Sequence, residues 1–380
     1  MVSKRVKSVS ESATMRIANI AGELQRKGVD VISFSLGEPD FITPSHICEA
    51  AKDALDAGET HYTPSAGIPK LREEIALKLQ RENNVRAEPL DIIVTPGAKQ
   101  AIFEAVLSVV DDGDEVVLFD PAWVSYDACV KLAGGRSVLV PTNPDDGFKP
   151  ENLAEHITEK TSLIIVNTPC NPTGAVYDNR VLREIAELAS DHDLLVLSDE
   201  IYEKVIYDRE HESLANFEGM EERTITVNGF SKSYAMTGWR LGYLAAPHDL
   251  VSQMMKVQSH SVSHAASFVQ HAGIAALKGD QQCVIDMTAE FEKRRNLLVK
   301  GLNELGLETP LPDGAFYAFA NVSRYGSGDE VAERLLKEAH VAVTPGSAFG
   351  SVGDGYIRIS YATSQERIKE ALLRIEKTLS

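Results

Sequence analysis

Residues 162–202 read SLIIVNTPCNPTGAVYDNRVLREIAELASDHDLLVLSDEIY, and this stretch decides the fold class. Short apolar runs over Ser162–Asn167 and Leu194–Ser198 predict two buried strands. Between them, Val181–Asp191 has apolar residues at the 3.6-residue spacing of a helix with one buried face. The order strand, helix, strand indicates a parallel pair joined by a crossover helix.

The same alternation extends outward from this stretch. Apolar runs over Glu115–Phe119 and Thr224–Asn228 predict further buried strands, and the spacing within Lys99–Val110 predicts another helix. We therefore expect an α/β fold, with a mostly parallel sheet flanked by helices.

The pattern changes after about Glu290, which indicates a second, smaller α+β domain. A long charged helix through Leu305 is followed by predicted strands near residues 315–320, 341–343 and 356–360. The first forty or so residues contain no strand-helix unit, so we expect them to pack on this C-terminal part. The predicted domains are residues 45–289, which bind the cofactor, and residues 1–44 plus 290–380. A ligand is expected in the crevice between them.

The composition is that of an ordinary globular protein of 380 residues, and its length favours two domains. A formal net charge of -18 disfavours nucleic acid as a partner.

The four cysteines form no C-x-x-C pair, so neither a zinc site nor a disulfide framework is indicated, and no metal is expected. No apolar run suits a membrane span or a secretory signal. The cytoplasm is the expected compartment, with a short organelle-targeting peptide as the alternative.

Polar and aromatic residues follow the predicted strands at several places. They are Gly97, Ala98 and Lys99 after IIVT, Trp123 after VVLFDPA, Asn171 after SLIIV, Asp199 and Tyr202 after LLVLS, and Lys232 after ITVNG. Because the carboxyl ends of parallel strands meet at one edge of a sheet, we expect these side chains to share one site.

Six segments in this order carry a resemblance to a known family. They are SLGEPDF (35–41), HYTPSAG (61–67), NPTGAVY (171–177), SDEIY (198–202), AMTGWRLG (235–242) and IRISYA (357–362). With GFSKSYAMTGWRLG (229–242), the chain resembles the bacterial and archaeal branch of the aspartate aminotransferase family, the class-I aminotransferases. The resemblance implies the pyridoxal-phosphate-dependent transferase fold type I, pyridoxal 5'-phosphate as cofactor, and a homodimer with shared active sites.

The resemblance also implies roles for residues around the cofactor ring. Lys232 would bind the cofactor aldehyde covalently and then move a proton at the substrate α-carbon. Asp199 would keep the pyridine nitrogen protonated, with a helix N-cap as its alternative role. Tyr202 and Asn171 would hydrogen-bond the phenolic oxygen, although a core tyrosine and a turn asparagine remain open. Trp123 would stack on the ring.

The expected phosphate contacts come from the turn Gly97-Ala98-Lys99 at a helix N-terminus, from Ser231 and from Arg240. Tyr62 resembles the tyrosine that reaches the phosphate from the neighbouring subunit, with a local loop aromatic as the alternative. Gly229 stands where many relatives carry serine, which leaves one phosphate contact in doubt.

The substrate contacts implied by the resemblance centre on Arg358, which would clamp the α-carboxylate with two hydrogen bonds. Gly37 would approach the same carboxylate through its backbone, and Trp123 and Asn171 would also touch the substrate. Lys99 occupies a position that recognises acidic side chains in that branch. So does Thr14, which lies in the segment Ser12-Ala13-Thr14.

The predicted function is transfer of an amino group from an amino acid, aspartate being favoured, to a 2-oxo acid such as 2-oxoglutarate through pyridoxamine phosphate. Aromatic amino acids, prephenate or alanine are alternative substrates. A β-eliminating lyase using the same cofactor is a second alternative. A non-catalytic regulator is a third, although no basic helix-turn-helix stretch is evident.

Overall fold

The computed structural model describes residues 2–11 and 13–380. Its strands are β1 (Ile32–Ser33), β2 (Ile92–Thr95), β3 (Glu115–Asp120), β4 (Arg136–Asn143), β5 (Lys149–Pro150), β6 (Thr161–Asn167), β7 (Leu195–Asp199), β8 (Thr224–Gly229), β9 (Gly242–Ala245), β10 (Tyr317–Asn321), β11 (Val341–Ala342), β12 (Thr344–Pro345) and β13 (Tyr356–Ser360). Its α-helices are α1 (Lys4–Lys7), α2 (Ala13–Arg26), α3 (Ser45–Asp56), α4 (Pro69–Asn83), α5 (Ala98–Val109), α6 (Val124–Ala133), α7 (Asn179–Asp191), α8 (His248–Ser261), α9 (Ser267–Lys278), α10 (Gln282–Glu304), α11 (Gly328–Arg334) and α12 (Gln365–Leu379).

A mostly parallel central sheet has the strand order β2-β9-β8-β7-β6-β3-β4-β5. The pairs from β8 through β4 are parallel, whereas β9 runs antiparallel to both its neighbours and β5 runs antiparallel to β4. All six residues of β3 are buried, as expected for a strand covered on both faces. The predicted α/β class is confirmed.

Smaller sheets join the two ends of the chain. Strands β10, β13 and β12 form an antiparallel sheet, and β1 pairs in parallel with β11. Ile17 and Ala21 of α2 pack with Ala342 of β11 in a small apolar cluster. The N-terminal segment therefore lies against the C-terminal part of the chain.

Helix α10 begins earlier than the sequence pattern indicates and contacts two apolar cores. Val284 packs in the core built by α4, α9 and β2. Phe291, Leu298 and Leu302 pack in the core beneath the β10-β13-β12 sheet. The predicted boundary between residues 289 and 290 thus falls inside one continuous helix, and the division into two domains stays a prediction.

None of the helices in the described residues combines the length and apolar character needed to cross a membrane.

Candidate active site

A cavity of about 310 Å³ lies beyond the carboxyl ends of β6 and β7. The predicted site residues that line it are Thr14, Gly37, Ala98, Lys99, Trp123, Asn171, Asp199, Tyr202, Ser231, Lys232, Arg240 and Arg358. Gly97 directly precedes this lining as the N-cap of α5. Ser12, the first residue of the predicted Ser12-Ala13-Thr14 segment, lies outside the described residues.

Lys232 follows β8 and projects its amine into the cavity. The amine donates a hydrogen bond to the backbone carbonyl of Gly37. Burial, assisted by the cations Arg358 and Arg240 and opposed by Glu38, lowers the pKa of Lys232 to about 8. A larger share of this amine is therefore neutral and nucleophilic near neutral pH than for an ordinary lysine.

Asp199 ends β7 and is almost fully buried in the cavity wall. Oδ2 accepts a hydrogen bond of 2.6 Å from the hydroxyl of Tyr126, and Oδ1 accepts one of 3.2 Å from the N–H of Ile201. Burial raises the pKa of Asp199 to about 6, although both donors oppose the rise. The carboxylate is thus available as an anion at neutral pH.

The N-terminus of α5 and Arg240 form a compact cradle for an anion. Among the described residues no side chain caps this helix, so its first N–H groups are available. A Cβ at Gly97, where φ is +88°, would lie 2.7 Å from Nη2 of Arg240. Only glycine allows the guanidinium to approach this backbone so closely. Ser231 lines the same cavity.

Arg358 of β13 is 2% exposed and lies between two aromatic rings. Its guanidinium carbon is 4.7 Å from the ring centroid of Tyr317 and 5.0 Å from that of Phe349. Nη1 donates to Oδ1 of Asn171 over 3.0 Å, while Nη2 donates to the carbonyl of Ser35. Nε is buried with no hydrogen-bond partner among the described residues. This fork is held rigidly and suits a carboxylate.

Tyr202 and Tyr317 meet at the cavity wall, with their hydroxyl oxygens 2.6 Å apart. Both side chains are buried. The Tyr317 hydroxyl would lie 1.9 Å from a Cβ at Gly37, so at residue 37 the chain can lie against the cavity only as bare backbone.

Lys99 remains solvent-exposed, and its Nζ lies 4.9 Å from the ring centroid of Trp123. Partial burial and the nearby cation Arg240 lower the pKa of Lys99. An anionic group beside Lys99 and Arg240 would relieve the repulsion between these two cations.

Two further residues, Tyr62 and Gly229, concern the predicted phosphate site. Tyr62 is 93% exposed and lies outside the cavity of its own chain, with its ring edge-on to His264 at 5.6 Å. A Cβ at Gly229 would lie 3.0 Å from the Cα of Gly242, so β8 and β9 are packed too closely here for a serine without local adjustment.

Sequence reasoning missed several residues of this site. Tyr126, on the first turn of α6, and Tyr317, on β10, were not predicted, nor was Asn167, whose side chain donates to the carbonyl of Asp199 over 2.9 Å. Tyr126 follows Trp123 by three residues, a helical spacing that could have indicated a shared face.

Known proteins match this chain over nearly its whole length. A family model described as aminotransferase class I and II matches residues 29–375. The aspartate aminotransferase of Pyrococcus abyssi is 48% identical over 385 residues, which cover 100% of this chain and 98% of that protein. Aromatic-amino-acid aminotransferase 2 of Thermococcus litoralis is 46% identical, with coverage of 100% and 98%. The solved structure of Thermus thermophilus aspartate aminotransferase with maleate has a TM-score of 0.96 and 44% identity, and the match covers 100% of each chain.

Proposed function

Because the chain belongs to the class I and II aminotransferases, as its predicted family and fold type had indicated, we propose that it moves the amino group of aspartate to a 2-oxo acid such as 2-oxoglutarate with pyridoxal 5'-phosphate as cofactor. The observation that carries this proposal is the convergence of Lys232, Asp199 and Arg358 on one cavity. They supply an amine, a buried carboxylate and a carboxylate-binding fork, which are the three groups that this chemistry needs.

The residues present fit pyridoxal phosphate. The cradle of Gly97, α5 and Arg240 suits its phosphate, and Asp199 suits a protonated ring nitrogen. Tyr202 and Asn171 would hold the phenolic oxygen, and Trp123 would cover the ring. When bound, the cofactor supplies an aldehyde that accepts an amino group and a ring that withdraws electrons from the α-carbon.

Lys232 is the base in this proposal. With a pKa of about 8, its Nζ would take the α-proton of the amino acid and hold it for return in the same transfer. The amine donates a hydrogen bond to the carbonyl of Gly37, and Gly37 lies against Tyr317, whose ring also contacts Arg358, so the amine is held on the same side of the cavity as Arg358.

Recognition of an acidic donor rests on two separate cationic positions. Arg358 binds the α-carboxylate, and its partner Asn171 holds the fork in place. Lys99 offers a second cation in the same cavity, which Thr14 also lines. A side chain carrying a second carboxylate is therefore favoured over an apolar one.

A homodimer is the proposed assembly. Tyr62 and Ile42 are 93% and 90% exposed, although both are large apolar or aromatic residues. A groove lined by Phe41, Thr43 and Trp239 opens beside the cavity and shares Arg240 with it. A second copy docked there would bring its Tyr62 to the phosphate cradle. The cytoplasm, where the four free cysteines would stay reduced, is the proposed compartment.

The proposal is tested by a donor screen with 2-oxoglutarate as acceptor, comparing aspartate, phenylalanine, alanine and arogenate. We expect aspartate to give the highest kcat/KM, and a strong preference for alanine or an aromatic donor would refute the role of Lys99.

Lys232→Ala protein should bind the cofactor without detectable turnover, whereas Lys300→Ala, at an exposed lysine of α10, should match the unaltered enzyme. Sedimentation of the protein as a monomer would overturn the dimer.

A further inference from the structure

The turn from Asp199 to Glu203 carries side chains into two different environments. Asp199 and Tyr202 line the cavity, whereas Glu200 and Glu203 are buried in a separate polar group. We call this group the rear cluster, which consists of Lys78, Asn83, Glu200, Glu203 and His211. None of its members contributes to the predicted site.

Glu200 is a fully buried carboxylate with three partners. Oε1 accepts hydrogen bonds from the hydroxyls of Ser198 at 2.9 Å and Ser213 at 2.7 Å. Oε2 lies 2.9 Å from Nε2 of His211. Burial alone would lower the pKa of His211, but the charge and hydrogen bond of Glu200, with the charge of Glu203, raise it above its ordinary value. This favours the protonated imidazole, whose second N–H, on Nδ1, is buried with no hydrogen-bond partner among the described residues.

The charges of the rear cluster balance when His211 is protonated. Glu200 and Glu203 carry two negative charges, and Lys78 and His211 carry two positive ones. Ligand atoms of Glu200, Glu203 and His211 lie within 4.8 Å of one another, as they do in metal sites. The ammonium of Lys78, however, already donates to Glu203, so the cation of this cluster is supplied by the protein itself.

Glu200 directly follows Asp199, so its charge acts on the cavity carboxylate. The negative charge of Glu200 contributes to the raised pKa of Asp199. A neutral Asp199 could not stabilise a protonated ring nitrogen. A positive charge beside Glu200 would offset its effect on the pKa of Asp199 and keep Asp199 ionised. His211, whose Nε2 lies 2.9 Å from Oε2 of Glu200, is placed to supply that charge.

We propose that Glu200 and His211 are positioning residues for Asp199: the imidazolium cancels the charge of Glu200, and their hydrogen bond fixes the turn so that Asp199 stays an anion directed into the cavity. This inference rests on the proposed function, in which Asp199 faces the cofactor. The other charged or titratable groups that interact with the pair are Lys78 of α4, Glu203 of the turn, Asp199 itself and Tyr243 of β9. Lys204 acts on Glu203.

The test follows Asp199 itself in the full chain without added cofactor. Aspartate labelled with ¹³C at the side-chain carboxyl is incorporated, the Asp199 signal is assigned with Asp199→Asn, and its shift is followed against pH. In the unaltered protein the midpoint should lie near pH 6. His211→Gln keeps an N–H donor but removes the charge, and should raise the midpoint by about one pH unit. Glu200→Gln should lower it by about one.

The double variant separates charge from packing. Glu200→Gln with His211→Gln removes both charges, so its midpoint should return to within about 0.3 pH units of the unaltered protein. Ser213→Ala removes a hydrogen bond to Glu200 without changing charge, and should move the midpoint by less than about 0.3 pH units. Shifts in the same direction for both single variants, or a double variant that shifts further than either, would overturn the proposal.

The folding of each variant and the binding of the cofactor are measured separately from this titration. Circular dichroism checks each variant, and if Glu200→Gln does not fold, equal midpoints in His211→Gln and the unaltered protein would still overturn the proposal. Pyridoxal phosphate affinity is measured separately. Failure of the unaltered protein to bind it would remove the proposed function and leave the electrostatic coupling of Glu200 and His211 to Asp199 measurable.

Discussion

The hydroxyl of Tyr126 lies 2.6 Å from Oδ2 of Asp199, and each of the two residues is 3% exposed. The hydrogen bond joins the first turn of α6 to the end of β7. Because the partner is buried, the donor has a large influence on the charge state of the carboxylate. Burial raises the pKa of Asp199, and the hydrogen bond from Tyr126 opposes that rise, so the carboxylate stays ionised to a lower pH than burial alone would allow.

Replacement of Tyr126 by phenylalanine should weaken catalysis most on the acid side. Loss of the hydroxyl raises the pKa of Asp199 above its value of about 6, so the acid limb of kcat/KM should move to higher pH. At pH 6 we expect kcat/KM to fall about tenfold, as for loss of one hydrogen bond to a charged group. Tyr177→Phe, at a buried tyrosine outside the cavity, is the matched control. An unchanged acid limb in Tyr126→Phe would contradict this role.

Capture of pyridoxal phosphate by the apoprotein should depend on pH. The neutral amine of Lys232 is the reacting form, and its pKa is lowered to about 8. The rate constant should therefore increase as the pH rises through 8 and level off above it, rather than continue to rise toward the ordinary lysine value. Stopped-flow absorbance measures this rate. A midpoint above pH 10 would show that burial does not act on this amine.

Arg358→Lys should raise the KM for aspartate by about 100-fold, since a lysine cannot form the two parallel hydrogen bonds of the guanidinium. Steady-state kinetics with varied aspartate measure the effect. Arg324→Lys, at an exposed arginine of the same part of the chain, should leave KM unchanged. Equal KM values for Arg358→Lys and the unaltered protein would place the substrate carboxylate elsewhere.

Lys78→Met should destabilise the fold. Burial would raise the pKa of Glu203, but the charges of Lys78, His211 and Lys204 lower it overall to about 2. The ionised Glu203 therefore stabilises the folded state at pH values above its unfolded pKa, which is near 4.5. This stabilisation is lost as the pH falls from there toward 2. Without Lys78 a buried charge is left uncompensated, at a cost of about 3–5 kcal/mol.

Urea unfolding at pH 7 measures this loss. Lys70→Met, at an exposed lysine on the same helix, should change the free energy of unfolding by less than about 0.5 kcal/mol. If Lys78→Met were as stable as Lys70→Met, the ion pair with Glu203 would contribute nothing to the fold.

The central strands could be predicted closely from the sequence because strands buried on both faces are continuous apolar runs. Residues 224–228 and 356–360 were predicted within a residue of β8 and β13. Strand β9 was not predicted, because its four residues GYLA show no alternation of apolar and polar side chains. Its antiparallel direction depends on pairing with β2 and β8 and is not visible in these four residues. The early start of α10 was missed because its first turns pack on a different core from its later ones.

The site was predicted mainly where a motif marks it. Lys232 and Arg358 lie in segments whose order along the chain resembles a known family, and both line the cavity. Tyr317 and Tyr126 lie in no such segment. A tyrosine on a strand or helix has the same sequence signature whether it packs in a core or donates to a carboxylate 73 residues away.

Helix α10 packs near its first turn on the core that includes Phe230, close in sequence to Lys232, and further along on the core beneath the sheet that carries Arg358. Its 23 residues span about 35 Å, and each end is embedded in its own core. A tilt of about 5° at its first turn would swing its last turn by about 3 Å over that length. Since α10 packs on both cores, we expect substitutions where it meets the α4 and α9 core to change the distance between the amine and the guanidinium, and with it substrate binding, without touching the cavity.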